Sequence, residues 1–216
     1  MLAVFDLDGT LLNGDSTAVW LWERMRRAPL RALATLAVAP LAVPMVALPA
    51  TRRAGASILL WIATAGLSET GLQRSCRQFG QVFASGLRPL AWRDGALKAL
   101  DQHLTAGDRV VVVTAAPACL AQALLATLDR PVEVIGTSLK PRLGGWIADI
   151  HCRNRRKCQS LLEAGHGARW SYAYTDSLDD LPLLRGADRP VIVKGGKAAE
   201  RRLFRAGLPN ARAAAW

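Results

Sequence analysis

The chain has 216 residues, of which 51% are apolar, and it carries a formal net charge of +11. This length accommodates one core with an inserted subdomain, and the charge favours an anionic partner such as a phosphate-bearing substrate or an anionic lipid surface. The arginines are scattered, without a recognition helix, a zinc module or a basic stripe interleaved with aromatic residues, so we expect no nucleic-acid partner. The four cysteines include no C-x-x-C pair, which favours a reduced compartment.

The first predicted element is a short buried strand over residues 2–5, followed at once by two aspartates. Asp6 and Asp8 are two residues apart, so the alternation of side chains along an extended chain places both carboxylates on the same side. Gly9 closes the turn that follows. The two carboxylates can converge on one cation or one phosphate; the alternative is that they only end the strand and solvate the turn. They also interrupt the apolar N-terminus too early for a cleavable signal peptide.

The segment after this strand begins with a helix of interfacial character. Asp15 and Ser16 form a good helix cap. The run from Trp20 to Arg27 then mixes indoles with arginines, a pattern typical of a helix that lies in a membrane interface.

Two uncharged stretches follow this helix. Residues 32–50 approach the roughly 20 residues that a helix needs to cross a bilayer, whereas residues 54–68 are too short to span alone. Three prolines are expected to break the helix in the first stretch: Pro40, Pro44 and Pro49. Because candidate site residues lie on both sides of this insert, both of its ends must return to one compartment. We therefore expect a helical hairpin that dips into one leaflet; the alternative is a helical cap whose apolar faces pack on each other in water.

Beyond a helix over residues 73–86, strands and helices alternate regularly. The β-branched run from Arg109 to Thr114 is typical of a central parallel strand that is buried on both faces. Thr114 ends this strand, and Ala115 and further small residues then open a helix over residues 118–128. A hydroxyl and free backbone N–H groups at this position suit a phosphate, although threonine is common at strand ends.

A strand over residues 132–137 leads into a predicted β-hairpin over residues 137–150, which turns at Gly144-Gly145. The next segment carries four cations and leads into a helix that ends near residue 165: Arg153, Arg155, Arg156 and Lys157. Charge alone does not decide which of them faces a site, and a solvated basic face is the alternative for three of the four.

A strand over residues 170–176 ends in an acidic loop that contains Asp176, Asp179 and Asp180. Three carboxylates within five residues repel one another, and a divalent cation would neutralise them. The alternative is that Asp179 and Asp180 only cap a helix. After a last strand over residues 191–193, the basic tail is expected to lie on the surface; its arginines are Arg201, Arg202, Arg205 and Arg212.

The order and spacing of these parts resemble the four motifs of the haloacid dehalogenase-like phosphohydrolases. The motifs are Asp6-Leu7-Asp8-Gly9-Thr10, Thr114, Lys157 and Asp176-Ser177-Leu178-Asp179-Asp180. The insert after the first motif is similar to the helical cap of the branch that contains phosphoserine phosphatase. The resemblance implies an α/β fold with a Rossmann-like parallel sheet and helices on both faces, formed by residues 1–13 and 88–216. Residues 14–87 would form an all-helical, partly membrane-associated cap, with the apolar insert at about 30–66.

The apolar insert, the hairpin Gly144-Gly145-Trp146 and the segment Asp180-Leu181-Pro182-Leu183-Leu184 are similar to phosphatidylglycerophosphatase C, a family of bacterial membrane-associated lipid phosphatases. This resemblance implies dephosphorylation of phosphatidylglycerophosphate to phosphatidylglycerol at the cytoplasmic face of the inner membrane. The alternative is a soluble phosphatase for a small metabolite such as phosphoserine. The chain departs from the family pattern at Ala115-Ala116, where Gly-Ser usually follows the threonine, and at Asn154-Arg155-Arg156, where an acidic residue is more usual.

Carried over to this chain, the resemblance implies a two-step mechanism. Asp6 would attack phosphorus and form an aspartyl-phosphate. Asp8 would protonate the leaving alkoxide and then deprotonate the attacking water. Mg²⁺ would be held by Asp6, the backbone carbonyl of Asp8 and Asp176.

The same resemblance assigns the remaining positions. Thr114, Ala115 and Lys157 would bind and stabilise the phosphoryl oxygens. Asp15, at the entrance of the cap, would contact the leaving group. One acidic residue would orient Lys157 or a metal-bound water: Asp180, with Asp179 as the competing candidate.

Overall fold

The computed structural model describes residues 1–48, 50–86, 89–194 and 197–216. Its strands, numbered in chain order, are β1 Leu2–Phe5, β2 Arg109–Pro117, β3 Glu133–Thr137, β4 Leu139–Arg142, β5 Gly145–Ala148, β6 Trp170–Thr175, β7 Ala187–Val193 and β8 Arg212–Ala214. Six strands form one parallel sheet in the order β3-β2-β1-β6-β7-β8, while β4 and β5 pair as a separate antiparallel hairpin. The predicted α/β class with a parallel sheet is confirmed.

Helices lie on both faces of this sheet and in the segment between β1 and β2. They are α1 Ser16–Arg26, α2 Pro29–Ala47, α3 Arg52–Thr64, α4 Glu69–Ala84, α5 Asp94–Thr105, α6 Ala118–Leu125, α7 Arg155–Glu163, α8 Leu181–Arg185 and α9 Lys197–Arg205. Alternate side chains of β1 divide between two apolar clusters: Phe5 packs with residues of α5 and α6, and Val4 packs with residues of α7 and α8. Burial on both faces explains the continuous apolar composition of the central strands.

Helices α2 and α3 form an antiparallel hairpin. The Arg31 side chain at the start of α2 donates from Nη2 to the carbonyl oxygen of Ala65, just beyond α3, at 2.9 Å. A Cβ atom added at Gly55 of α3 would lie 2.9 Å from the carbonyl oxygen of Ala42, so the absence of a side chain there permits the close approach of the two helices. The predicted helical hairpin is present in the described residues.

Helix α2 runs without interruption through Pro40 and Pro44, which corrects the expectation that these prolines break it. Each proline removes one N–H from the helical hydrogen-bond ladder, but both lie on the exposed side of the helix. The opposite side packs on α3, where Ala42 is fully buried, and this packing offsets the lost hydrogen bonds. Pro49, the third proline of the prediction, lies outside the described residues.

The outer face of α2 is apolar and exposed. Leu30, Leu33, Leu36, Leu41 and Val43 keep between 59% and 82% of their surface accessible. With 19 residues, α2 is the one helix within the described ranges that is long and apolar enough to cross a membrane. A helix that is apolar on all sides but buried on only one of them is unusual for a protein surrounded by water.

The β4–β5 hairpin lies against α3. The indole Nε1 of Trp61 donates to the carbonyl oxygen of Arg142 at 2.9 Å, and the indole of Trp146 donates to the carbonyl oxygen of Leu67 at 2.9 Å. The turn residues are Leu143 and Gly144, with φ of +47° and +76°, one position earlier than predicted. Two successive positive φ values are typical of a tight two-residue hairpin turn, and Gly145 already belongs to β5.

The C-terminal arginines lie on the surface, as predicted, but the region that carries them forms regular elements: Arg201, Arg202, Arg205 and Arg212 are all exposed. Residues 197–205 form α9, and β8 adds a sixth strand beside β7. The sequence signal was weak because β8 has three residues and, among the α9 side chains from residue 198 to 205, only Leu203 is fully buried. Residues 195 and 196, between β7 and α9, and residues 87 and 88, at the predicted boundary between cap and core, lie outside the described residues.

Candidate active site

Asp6 stands at the carboxyl end of β1, in the middle of the sheet. From β1 the chain proceeds to β2 and β3 on one side, and then crosses to β6, β7 and β8 on the other. The carboxyl ends of parallel strands at such a switch point form a crevice where ligands bind. The backbone N–H of Asp6 donates to the carbonyl oxygen of Tyr174 in β6 at 2.9 Å, and only 7% of Asp6 is exposed.

The loop after β1 brings Asp176 to this crevice. A Cβ atom added at Gly9, where φ is +78°, would lie 2.1 Å from Oδ2 of Asp176. The backbone N–H of Asp176 also donates to Oγ1 of Thr10 at 2.9 Å. Asp176 therefore rests directly on the loop that carries Asp6 and Asp8, at a position that only glycine can leave open.

Lys157 connects two of the predicted aspartates. Its side chain is 2% exposed, and Nζ lies 2.8 Å from Oδ1 of Asp6 and 2.6 Å from Oδ2 of Asp180. Thr175 donates from Oγ1 to the same oxygen of Asp180 at 3.0 Å. Burial lowers the pKa of Lys157, but the two carboxylates outweigh this effect and hold the pKa above its ordinary value. The ammonium group is thus fixed beside Asp6 as a cation.

The acidic loop does not form one cluster of carboxylates, which corrects the expectation that a single divalent cation neutralises all three. Asp180 is buried against Lys157, whereas Asp179 is exposed and accepts a hydrogen bond from Arg153 at 2.5 Å. Only Asp176 faces the loop after β1. The short helical turn over residues 178–180 sends the three side chains in different directions. Of the two candidates for orienting Lys157, the structure places Asp180 in contact with it.

Asp8 and Asp15 both precede α1, the first helix. Asp8 accepts a hydrogen bond from the backbone N–H of Ser16 at 2.8 Å, and Asp15 caps α1 by accepting from the N–H of Ala18 at 2.8 Å. Burial, and next the negative charge of Asp15, raise the pKa of Asp8 to about 7. Burial also raises the pKa of Asp6 to about 6, against the opposing effect of Lys157. At neutral pH Asp6 is therefore mainly ionised. Asp8 has a pKa close to the surrounding pH, so it can both release and accept a proton.

Thr114 is buried within β2 rather than at its end, because the strand continues to Pro117 after a change of register at Val113. Its Oγ1 accepts a hydrogen bond from the N–H of Ala116 at 3.1 Å. That N–H is therefore engaged, so the N–H of Ala116 is not one of the free groups expected after Thr114. The Thr114 hydroxyl hydrogen remains able to donate to a phosphate oxygen.

Two cavities adjoin this crevice near the start of α3. One, of about 100 Å³, is mainly apolar and is lined by Ala115, Leu21, Leu60 and Leu139 among others. The second, of about 240 Å³, is basic and polar; its lining residues are Arg52, Arg53, His151, Arg153, Asn154 and Asp179. Arg53 and His151 line both cavities, so the two are adjacent.

The donor set suits a hard divalent cation of the kind that the resemblance implies. The recorded hydrogen bonds to Asp6, from Lys157 and from the N–H of Leu7, both reach Oδ1 and leave Oδ2 for another ligand. Burial raises the pKa of Asp176, as it does for Asp6 and Asp8, so a bound cation would offset the free energy that burial costs the ionised carboxylates. The described residues contain no group of three acidic, histidine or cysteine side chains poised as a full ligand set. Mg²⁺ needs fewer, because it keeps several of its waters.

The stability of the metal-free protein should fall as the pH rises. Because the pKa of Asp8 is raised to about 7, the folded state binds this proton more tightly than the unfolded chain does. The resulting stabilisation is complete below about pH 4 and is lost between about pH 4 and 7, by about 2–4 kcal/mol. Urea unfolding in the presence of EDTA across this window measures the loss.

Two variants and a metal addition control this measurement. Asp8→Asn should reduce the slope, whereas Asp188→Asn, at an exposed carboxylate 2.7 Å from Arg169, should keep it. Saturating Mg²⁺ should restore stability at neutral pH, because a bound cation favours the ionised carboxylates. A metal-free protein with equal stability at both ends of the window would contradict the raised pKa.

The site includes residues to which the sequence analysis gave no role. Thr10 accepts from the N–H of Asp176, Thr175 donates to Asp180, and the N–H of Ser16 holds Asp8. Thr10 lies within the first motif and Thr175 directly precedes Asp176, so adjacency to a motif was the available signal. For Ser16, the cap signal pointed to helix initiation and not to contact with Asp8.

Several solved structures share this fold at low sequence identity. A protein of unknown function from Bordetella pertussis Tohama I has a TM-score of 0.75 at 24% identity, covering 99% of this chain and 97% of that protein. A phosphoserine phosphohydrolase-like protein from Francisella tularensis subsp. tularensis SCHU S4 has a TM-score of 0.58 at 14% identity, covering 89% and 87%. A phospho-aspartyl intermediate analogue of phosphoserine phosphatase has a TM-score of 0.56 at 13% identity, covering 95% and 97%. The chain thus has the α/β fold of this class of proteins.

Residues 3–185 match the haloacid dehalogenase-like hydrolase family. The matched region extends from β1 to the end of α8 and contains every residue described in the crevice. The chain belongs to the haloacid dehalogenase-like hydrolases, and the predicted superfamily is confirmed.

Proposed function

We propose that the protein is a Mg²⁺-dependent phosphomonoester hydrolase that acts on a phospholipid, converting phosphatidylglycerophosphate to phosphatidylglycerol at the cytoplasmic face of the bacterial inner membrane. The hydrolytic part of this proposal rests on one observation, the buried contact of Lys157 with both Asp6 and Asp180. Asp176, which follows β6, packs against the loop after β1 beside this contact. A fixed ammonium group beside a carboxylate at the mouth of a parallel sheet suits attack on a phosphoryl group.

Hydrolysis would proceed in two steps, and Asp6 and Asp8 take part in both. An oxygen of Asp6 attacks phosphorus, the bond to the leaving oxygen breaks, and Asp8 gives its proton to that oxygen. Water then attacks phosphorus, its proton passes to Asp8, and the bond between Asp6 and phosphorus breaks to release phosphate. A pKa of about 7 suits Asp8 to both proton transfers at neutral pH.

The remaining side chains stabilise the charge that moves during these steps. Lys157 and the Thr114 hydroxyl are placed to bind phosphoryl oxygens. Asp6, the carbonyl of Asp8 and Asp176 would hold Mg²⁺, which supplies further positive charge to the phosphoryl group.

The exposed face of α2 supports a substrate in a membrane. Leu30, Leu36 and Leu41 are 82%, 70% and 63% exposed, and no charged residue lies between Arg31 and Arg52. Arginines flank this apolar face at both ends, where they can contact anionic headgroups. Burial of the apolar face in the interfacial region of a bilayer would remove it from water without moving the packed face of the hairpin.

The position of the cavities supports the same substrate class. Arg52 and Arg53 begin α3, directly after the loop that ends α2, and they line the basic cavity beside the crevice. A headgroup at this end of the apolar face would meet the arginines first and then the apolar cavity that contains Ala115. We propose that the phosphomonoester reaches Asp6 from this side, near Asp15.

A second candidate function is a soluble phosphatase for a small phosphomonoester. The structural likeness to a phosphoserine phosphohydrolase-like protein and to phosphoserine phosphatase favours it. The cavity with Arg53 and His151 would then bind the carboxylate of the leaving group.

A phosphate-release assay distinguishes the two candidates. With substrates in mixed detergent micelles, we expect kcat/KM for phosphatidylglycerophosphate to exceed that for phosphatidic acid and for phosphoserine by about tenfold or more, which corresponds to roughly 1.4 kcal/mol. The selectivity over phosphoserine comes from the exposed apolar face of α2, which phosphoserine does not contact. The selectivity over phosphatidic acid comes from the basic cavity, which can bind the internal phosphodiester that phosphatidic acid lacks. The measurement is initial rate against substrate concentration with Mg²⁺ present.

Substitutions on α2 control for the role of the membrane. Leu33→Gln combined with Leu36→Gln lies on the exposed face, so the variant should fold normally and lose binding to vesicles without losing activity on a soluble phosphomonoester. The matched control is Ala34→Gln combined with Ala37→Gln, which also changes exposed residues of α2. It removes less apolar surface, so it should weaken vesicle binding less than the leucine variant does. If phosphoserine is the preferred substrate and the leucine variant is unchanged on vesicles, the soluble candidate replaces the lipid one.

A further inference from the structure

A second basic cavity lies on the cap, apart from the crevice that holds Asp6. It has a volume of about 190 Å³ and lies between α1, the start of α2, and α4. Polar and aromatic side chains on its wall include Trp20, Arg24, Arg27, Arg31, Ser75 and Gln78. None of its lining residues belongs to the candidate active site or to the two cavities beside it.

Arg24 is held in this cavity by fixed contacts. Its Nε donates to the carbonyl oxygen of Ala63 at 2.7 Å, and Nη1 donates to Oγ of Ser75 at 2.7 Å. Ser75 also accepts from the indole of Trp20 at 3.3 Å. The guanidinium group is therefore oriented before any ligand arrives, which lowers the entropy cost of binding.

The positive charge of this cavity is not balanced within the described residues. Glu23 is the acidic residue on its wall, and it is paired with Arg26 at 2.6 Å and with Arg27 at 3.1 Å. No salt bridge is recorded there for Arg24 or Arg31, although Arg31 donates to a backbone carbonyl. Burial, and next the charge of Arg31, lower the pKa of Arg24, so the two guanidinium groups repel each other in the absence of an anion.

The cavity also borders the start of the exposed apolar face of α2. Arg27 and Arg31 line it, and Leu30 between them is 82% exposed. Trp22, on the preceding helix, is 63% exposed. An indole, arginines and an apolar helix face side by side are typical of a protein surface at the headgroup level of a bilayer.

We propose that this cavity binds the phosphate group of an anionic phospholipid, as an anchoring site separate from the catalytic crevice. The proposal rests on the lipid-directed function given above. Arg24 and Arg31 would each pair with phosphate oxygens, since guanidinium groups match the geometry of phosphate. The acyl chains of the bound lipid would lie along Leu30 and Leu33. One end of the apolar face would then hold a lipid at this anchoring site, while the other end presents a substrate to the crevice.

Vesicle sedimentation tests the anchoring site. The variant Arg24→Gln/Arg31→Gln should bind vesicles of phosphatidylcholine mixed with phosphatidylglycerol about tenfold or more weakly than the unchanged protein. Binding to vesicles of phosphatidylcholine alone should change little. The matched control Arg142→Gln/Arg205→Gln removes the same charge from exposed positions outside the cavity and should weaken binding by about threefold or less.

Two further measurements keep the test decisive. Arg31→Gln alone retains the contacts of Arg24 and should give part of the loss, which guards against misfolding of the double variant. Inorganic phosphate, compared with chloride at constant ionic strength, should displace little protein from anionic vesicles, because it lacks the acyl chains that would lie along Leu30 and Leu33. Strong competition by inorganic phosphate would show that the cavity binds a free anion. Equal losses of vesicle binding in the cavity variant and in its control would show that only net charge matters. Either result overturns the proposal.

The outcome is separable from that of the proposed function. Both double variants should hydrolyse a soluble phosphomonoester at rates within about twofold of the unchanged protein, because neither touches the crevice. Loss of anchoring with retained lipid hydrolysis in detergent micelles would support both proposals. A protein that binds anionic vesicles through Arg31 but releases no phosphate from any lipid would retain the anchoring site and refute the lipid phosphatase.

Discussion

Asp6→Asn should reduce turnover by about 10⁴-fold or more while leaving the fold intact. The amide has nearly the shape of the carboxylate, but it lacks the charge and nucleophilicity needed to form the acyl-phosphate bond. Lys157 keeps its contact with Asp180 at 2.6 Å, so the buried ammonium group is not left without a carboxylate. The measurement is steady-state phosphate release, with circular dichroism and thermal melting as checks on folding.

The control for this substitution is Asp188→Asn, which makes the same chemical change at an exposed residue and should keep full activity. The unchanged protein should also incorporate one acid-stable, hydroxylamine-sensitive phosphoryl group that the Asp6→Asn variant lacks. Turnover by a folded Asp6→Asn protein at a rate near that of the unchanged protein would eliminate Asp6 as the nucleophile.

Lys157→Met should lower both stability and activity. The side chain is 2% exposed and lies between Asp6 and Asp180, so its loss leaves two buried carboxylates facing each other without their cation. Removal of one partner from a buried ion pair costs about 3–5 kcal/mol of unfolding free energy. Loss of a fixed charge beside the phosphoryl group should lower kcat by about 10²–10³-fold. Urea unfolding and phosphate release at neutral pH measure the two effects.

A double variant separates stability from catalysis. Lys157→Met/Asp180→Asn removes one of the two repelling carboxylates and should recover part of the lost stability, but it should not recover activity. Arg156→Met, on the same helix and paired with the exposed Glu163 at 2.6 Å, is the matched control and should change either quantity little. Lys157→Met protein with unchanged stability would show that the ion pair is not the buried contact described here.

The parallel core could be predicted from the sequence because its signals are local. The runs Leu2–Phe5 and Val110–Val113 are apolar without alternation, as expected for strands covered on both faces. The first helix begins directly after Asp15, an acidic cap residue. The strand Arg212–Ala214 was missed because three residues are too few to show a period. The continuity of α2 through Pro40 and Pro44 was missed because the packing of α2 on Gly55 is a tertiary contact.

The candidate site, too, could be predicted from the sequence only in part. Side-chain spacing placed Asp6 and Asp8 at a strand end, and the motif order pointed to Lys157 and Asp176. Which carboxylate meets which cation depends on a short helical turn over residues 178–180, whose direction no local pattern specifies. For this reason the charge pattern alone predicted a single acidic cluster. The family resemblance named Asp180 first for orienting Lys157, and the two are in contact, whereas the pairing of Asp179 with Arg153 was not predicted.

The contacts between α3 and the β4–β5 hairpin determine how membrane attachment can be examined by mutation. Thr64 accepts at Oγ1 from the N–H of Trp146, and the N–H of Gly66 donates to the carbonyl oxygen of Gly144 at 2.7 Å. Excision of residues 30–66 would therefore uncover the Trp146 indole, which is 9% exposed in the intact protein. Such a truncated protein would be prone to self-association through its new apolar surface, and its sedimentation with membranes would report aggregation instead of lipid contact. Single substitutions on the outer side of α2 avoid this artefact.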